Sequence, residues 1–263
     1  MSSVKDIERF LYDWAPRELA ADWDNVGLLV GRGEQKVSRV LVALDVTEAV
    51  VQEAAELGAE LIVAHHPVMN VRWHRDEMQT LREESRLGGL LRQLVRRDIS
   101  VICMHTNLDA AEGGVNDCLA QKLGLSGLIP LTEEKIGRVG TLSCEKPLEQ
   151  FLRDVVKSLK LCGLRYRDGG KPVHRVAVGG GACGDYLPQA LALGCDTFVT
   201  SDLRYNDFLD TRGLNLIDAG HFPTEDVVCQ ELLRRIQAAF PALHVSKSAV
   251  HRDAVQYYIT EGE

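Results

Sequence analysis

The strongest constraint on this 263-residue chain is that it repeats itself. Val42-Ala-Leu-Asp45 and Val176-Ala-Val-Gly179 each lead from an apolar strand through a turn into an alanine-rich helix ending in Leu-Gly. Gly58 then stands seven residues before His65, and Gly194 stands seven before Ser201. Strand, helix and second apolar strand make a β-α-β unit, whose strands run parallel because the helix carries the chain back. Strands and helices alternate throughout, so the chain is expected in the α/β class, as two pseudo-repeated domains. The division is placed at residues 1–128 and 129–263.

The apolar patterns predict strands at 39–45, 61–64, 99–104, 138–144, 174–179, 196–200 and 214–218. Helices are expected over 4–14, 47–57, 76–97 with a break at Gly88-Gly89, to Leu123, 147–160, 185–193, 202–211, and to Phe240. A terminal strand over 254–260 returns to the first half. The segment Asp22-Trp-Asp-Asn-Val-Gly-Leu-Leu-Val-Gly31 reads as a turn leading into a short strand; its aspartates either back the ligands of a site or make the turn, and the turn is favoured.

Chemistry collects at the strand ends. Leu61-Ile-Val-Ala64 stops in His65, His66 and Pro67. Proline ends the strand, so both histidines sit at its carboxyl end, where open α/β sheets place their ligands. The following strand in each half ends in a second echo: His105 with Asp109, and His221 with Glu225, each a carboxylate four residues after a histidine. If the halves pack face to face about a pseudo-twofold axis, one cleft collects His65, His66, His105, Asp109, His221 and Glu225. Two carboxylates in such a pocket repel unless cations intervene. Four imidazoles and two carboxylates are about the ligand set of two divalent ions ~3.5–4 Å apart. Mixed nitrogen and oxygen ligation suits Zn, Fe, Mn, Co or Ni without choosing among them. Hydrogen-bonded structural histidines are the competing reading. His74, His174, His244 and His251 lack such partners and are assigned to surface or packing. Gly179-Gly180-Gly181-Ala-Cys-Gly184 lacks a P-loop lysine and the dinucleotide spacing, so it reads as a tight structural turn.

A formal net charge of -8 argues against a nucleic-acid or anionic-membrane surface as the main partner. Seven scattered cysteines without a Cys-x-x-Cys pair point to free thiols in a reducing compartment, not to a thiolate zinc site. The charged Met1-Ser-Ser-Val-Lys-Asp-Ile-Glu-Arg9 is no signal peptide, and no apolar run is long enough to span a membrane, so a cytoplasmic location is expected.

Asp22 to Gly31, His65-His66-Pro67, His105-Thr-Asn-Leu-Asp-Ala-Ala-Glu-Gly-Gly-Val-Asn-Asp117 and Asp218-Ala-Gly-His-Phe-Pro-Thr-Glu225 closely resemble the Nif-three-like family, also labelled GTP cyclohydrolase I type 2 homologs. The resemblance runs from the N-terminus to the expected C-terminal strand. It implies two α/β domains face to face around a dinuclear metal cleft, in a homohexamer built as a trimer of dimers. It places the metal ligands on His65, His66, Asp109, His221 and Glu225, with Glu225 bridging; His105 falls beside them and is assigned to back the ligands or to transfer a proton. It further implies a metal-dependent hydrolase of a small, nucleotide-like substrate; a net acidic chain must then neutralise the substrate's phosphates locally, with the metals and with Arg204 or Arg72. Metal storage, delivery or an adaptor role is the alternative. Asn206 departs from the histidine that relatives often carry there.

Overall fold

The computed structural model describes residues 2–69 and 80–258. His74 and Arg72 lie outside the described residues, as does the start of the helix expected from Asp76. In chain order the strands are β1 (Gly27–Val30), β2 (Arg39–Ala43), β3 (Leu61–Ala64), β4 (Ser100–Cys103), β5 (Ser126–Pro130), β6 (Arg138–Lys146), β7 (Arg165–Arg167), β8 (Val173–Val178), β9 (Thr197–Thr200), β10 (Asn215–Asp218) and β11 (His244–Lys247). The chain forms two compact α/β units. One comprises the residues up to Gly114 with Val228–His251; the other comprises Val115–Val227 and the residues from Arg252 on.

The first unit holds a sheet of order β1-β4-β3-β2-β11. β2, β3 and β4 run parallel, β11 adds in parallel beside β2, and β1 pairs antiparallel with β4. Every residue of β3 and β4 is buried, which is why both read as unbroken apolar runs. Leu41, Val50, Val51, Ile62, Leu94 and Val101 form the core on which the crossover helices pack. Each such aliphatic side chain contributes about 1.5–3 kcal/mol by leaving water. The helix Glu48–Leu57 begins where the Thr47 hydroxyl accepts from Val50 N, and it ends at Gly58 in the left-handed conformation. The second crossover helix begins only at Arg86, capped by Ser85, and runs to Arg96 through Gly88 and Gly89. The expected break there does not form. Gly88 lies so close to the carbonyls of Thr80 and Arg82 that a β-carbon would collide with both, so this glycine serves packing.

The second unit holds a sheet of order β5-β6-β8-β9-β10-β7. β8, β9 and β10 run parallel, while β6 pairs antiparallel with β8, β5 with β6, and β7 with β10. The helix Leu148–Leu159 turns Phe151, Leu152 and Val155 into this core beside Val176, Val199 and Ile217. The repeat is real at the level of topology: β8-β9-β10 reproduces β2-β3-β4, and β4 and β10 each lead into a five-residue helix.

Three short strands, β5, β7 and β11, were not expected, and one expected strand is absent. Residues 254–258 form no strand, and 259–260 lie outside the described residues. Ala254, Val255, Tyr257 and Tyr258 are all exposed, so that apolar stretch has no face to bury. The strand that returns to the first sheet is β11, whose alternation is faint because Val245 is its only buried residue. Its pairing with β2 brings Val228–His251 into the first unit, whereas a single boundary after residue 128 assigns that stretch to the second half. The helix Val115–Lys122 likewise joins the second unit, through Leu119 and Ala120.

Candidate metal centre

In the first unit, His65 and His66 follow β3 directly, and His105 stands two residues beyond β4 as the N-cap of the helix Thr106–Ala110. The parallel pairing of β3 with β4 puts these ends side by side. The three rings lie in mutual contact, with centroids 5.0, 5.1 and 5.6 Å apart. Each ring offers a nitrogen within 4.8 Å of the others. Asp109, one turn after His105, sets its Oδ1 3.6 Å from His65 Nε2.

All three imidazoles are oriented in the same way. His65 Nδ1 lies 2.7 Å from the Met104 carbonyl, His66 Nδ1 2.7 Å from Asp45 Oδ1, and His105 Nδ1 2.9 Å from Asp24 Oδ1. A carbonyl or carboxylate oxygen only accepts, so each Nδ1 carries the proton and each Nε2 keeps its lone pair. Metal-binding histidines are held in this way, and the outer hydrogen bond makes the inner nitrogen a better donor. Asp24 also accepts from the backbone N of Thr106 at 3.0 Å and from its hydroxyl. Burial alone would raise the Asp24 pKa; the hydrogen bond from His105 and the two from Thr106 outweigh it and lower the value to about 2.

In the second unit, the helix His221–Glu225 follows β10 as Thr106–Ala110 follows β4. His221 Nδ1 lies 2.6 Å from Asp202 Oδ2, and its Nε2 3.0 Å from Glu225 Oε2. Burial disfavours a charged ring, yet these two carboxylates win and push the His221 pKa up to about 11. Glu225 is buried, a costly place for a carboxylate without a cationic partner. The glycine-rich turn after β8 explains how it fits. Gly181 has φ +64°, its N donates to the Thr224 hydroxyl at 3.0 Å, and Gly180 N donates to Asn116 Oδ1 at 2.9 Å. Those two amides are engaged within the protein, as in a structural turn.

The structure therefore gathers His65, His66, His105 and Asp109 in one unit, and His221 with Glu225 in the other. Both sets are imidazole and carboxylate without thiolate, a fit to borderline divalent cations. The exposed Arg204 guanidinium meets Asp207 and Asp185, each at 3.3 Å. Asn206 is exposed on the helix Tyr205–Asp210. Three aspartates orient the rings, and sequence reasoning missed two of them, Asp45 and Asp202. Asp24 does sit in the favoured turn, where its Oδ1 accepts from Asn25 N at 2.8 Å, but it also anchors His105. Asp45 and Asp202 each stand two residues beyond a parallel strand, a position that could have marked them.

Among the described residues no helix is long and apolar enough to cross a membrane. Similarity to known proteins follows the same lines as the fold. A GTP cyclohydrolase 1 type 2 homolog from Clostridium perfringens is 36% identical over 231 residues, which cover 84% of this chain and 86% of that protein. The protein of that name from Streptomyces coelicolor is 34% identical over 229 residues, covering 82% and 79%. Among solved structures, a Bacillus cereus protein related to NIF3 superposes with a TM-score of 0.89 at 25% identity, covering 98% of this chain and 99% of its own. Reduced HcgD from Methanocaldococcus jannaschii gives 0.80 at 26% identity, covering 93% and 97%. With residues 2–254 matching its family model, the chain belongs to the Duf34/NIF3 (NGG1p interacting factor 3) family.

Proposed function

We propose that the protein binds two divalent metal ions through His65, His66, Asp109, His221 and Glu225, with Glu225 as the bridge. We further propose that it is a metal-dependent hydrolase of a nucleotide-like ring, in the manner its curated relatives' name describes. The observation that carries the metal reading is the uniform anchoring of Nδ1, which leaves the Nε2 lone pairs of His65, His66 and His105 for one neighbourhood. Such ions supply Lewis acidity at the substrate. The chain's own residues supply the rest. His105, its Nδ1 fixed on the ionised Asp24, holds or moves a proton at Nε2. The buried strand ends around His65 keep bulk water from the rings.

The resemblance also supports assembly as a homohexamer, for which light scattering would give six times the 29.1 kDa chain mass. Free thiols at all seven cysteines support a cytoplasmic location.

The test is elemental analysis of the wild type, His66→Ala and Glu225→Ala, paired with incubation of each metal-loaded protein with GTP. The wild type is expected to carry two ions per chain and to release formate or a pterin product; both variants are expected to fold with less metal. Unchanged metal in both variants would refute the ligand assignment. Two ions without turnover above the Glu225→Ala background would refute the hydrolase, and transfer of metal to an apo-acceptor would then favour a delivery role.

A further inference from the structure

We infer that Asp202 is the positioning residue of the second unit's ligand set: it fixes His221 so that Nε2 is delivered beside Glu225. The inference rests on the metal reading above and adds to it a residue outside the ligand set.

Asp202 has φ +55°, a left-handed backbone that L side chains rarely adopt and that a glycine would adopt without strain. The backbone on either side is tied down, with Ser201 N on the Gly181 carbonyl at 3.0 Å and Leu203 N on the Asp218 carboxylate at 3.1 Å. At that rigid strand end the Asp202 carboxylate reaches His221 Nδ1 at 2.6 Å. The ring is thereby held in the rotation that turns Nε2 to Glu225.

The repeat sharpens the point. Ser201-Asp202 occupies the place that His65-His66 fills in the first unit, so the position of a ligand in one half is the position of a ligand's anchor in the other. In the first unit the same task falls to Asp45, which anchors His66 from the neighbouring strand. The competing view is that Asp202 merely makes a turn, since aspartate is among the residues most tolerant of this conformation.

The two views separate in Asp202→Gly and Asp202→Asn. Glycine accepts the backbone and removes the anchor; asparagine keeps the backbone preference and an acceptor for Nδ1 but loses the charge. Zinc is titrated into each apo-protein against a chromophoric chelator, and apo-protein Tm is measured alongside. Positioning predicts that Asp202→Gly still unfolds cooperatively in the apo form while zinc binding weakens about 10- to 100-fold. Asp202→Asn should fall between glycine and the wild type in affinity. Wild-type zinc affinity in Asp202→Gly would overturn the inference. So would weaker binding accompanied by loss of cooperative unfolding in the apo-protein, because the residue would then serve the fold. Glu225→Ala, titrated in parallel, keeps the two readings apart: undiminished zinc in that variant would sink the ligand assignment itself, and this inference with it.

Discussion

Gly181 lies against Glu225 with no room for a side chain between them: a β-carbon there would collide with Glu225 Oε1 and stand 3.1 Å from His221 Nε2. The glycine is thus the wall of the carboxylate's pocket, and the positive φ is a second reason for its presence.

Substituting it should therefore do more than strain the backbone. Gly181→Ala is expected to lower stability by more than the roughly 1 kcal/mol of a left-handed alanine, and to lower bound metal because Glu225 is pushed aside. Gly58→Ala is the control, since Gly58 has φ +65° with open space around it. It should show the backbone penalty alone and full metal. Urea titration with elemental analysis checks both; equal metal in the two variants would contradict the account.

Asp24 should make stability depend on pH in the acid range. Its pKa falls from the ordinary 3.8 to about 2 in the folded state, so its contribution of about 2 kcal/mol is fully present above 3.8 and is lost as pH falls through about 2. Asp24→Asn is expected to be less stable than the wild type at pH 6, with the gap closing toward pH 2. Urea midpoints of both proteins across that range check this, and a gap that stayed constant would count against it.

The second unit carries a buried ion pair, Arg138 with Asp117 at 2.6 Å, in which the arginine also donates to the carbonyls of Lys135 and Gly137. Asp117→Ala leaves a buried guanidinium without its counter-ion and should destabilise by about 3–5 kcal/mol. The double variant Asp117→Leu with Arg138→Met should lose much less, because it removes both charges together. Chemical denaturation of the two variants compares them directly.

Thiol chemistry should divide by burial. Desolvation pushes the Cys103 thiol up to about 12 and Cys195 up to about 11, while Cys144 and Cys162 are exposed. A maleimide at pH 7.5 is expected to modify Cys144 and Cys162 within minutes and to spare Cys103 and Cys195 until denaturant is added. Peptide mapping reads the order, and early labelling of Cys103 would show that its strand opens in the native state.

What the sequence determined alone is what short-range physics can encode. Unbroken apolar runs meant strands covered on both faces, Pro67 stopped one of them at His65 and His66, and the four-residue spacing of His105 with Asp109 and of His221 with Glu225 set each pair on one turn of helix. The duplicated spacing made a β-α-β unit in each half legible from the sequence. Tertiary structure decided the rest. Asp24 reaches His105 across 81 residues, Asp45 reaches His66 across 21, and Asp202 reaches His221 across 19. β11 returns to β2 with only one buried side chain to announce it. No local pattern carries such information, because whether an aspartate makes a turn or orients an imidazole depends on which strand end the sheet order sets beside it.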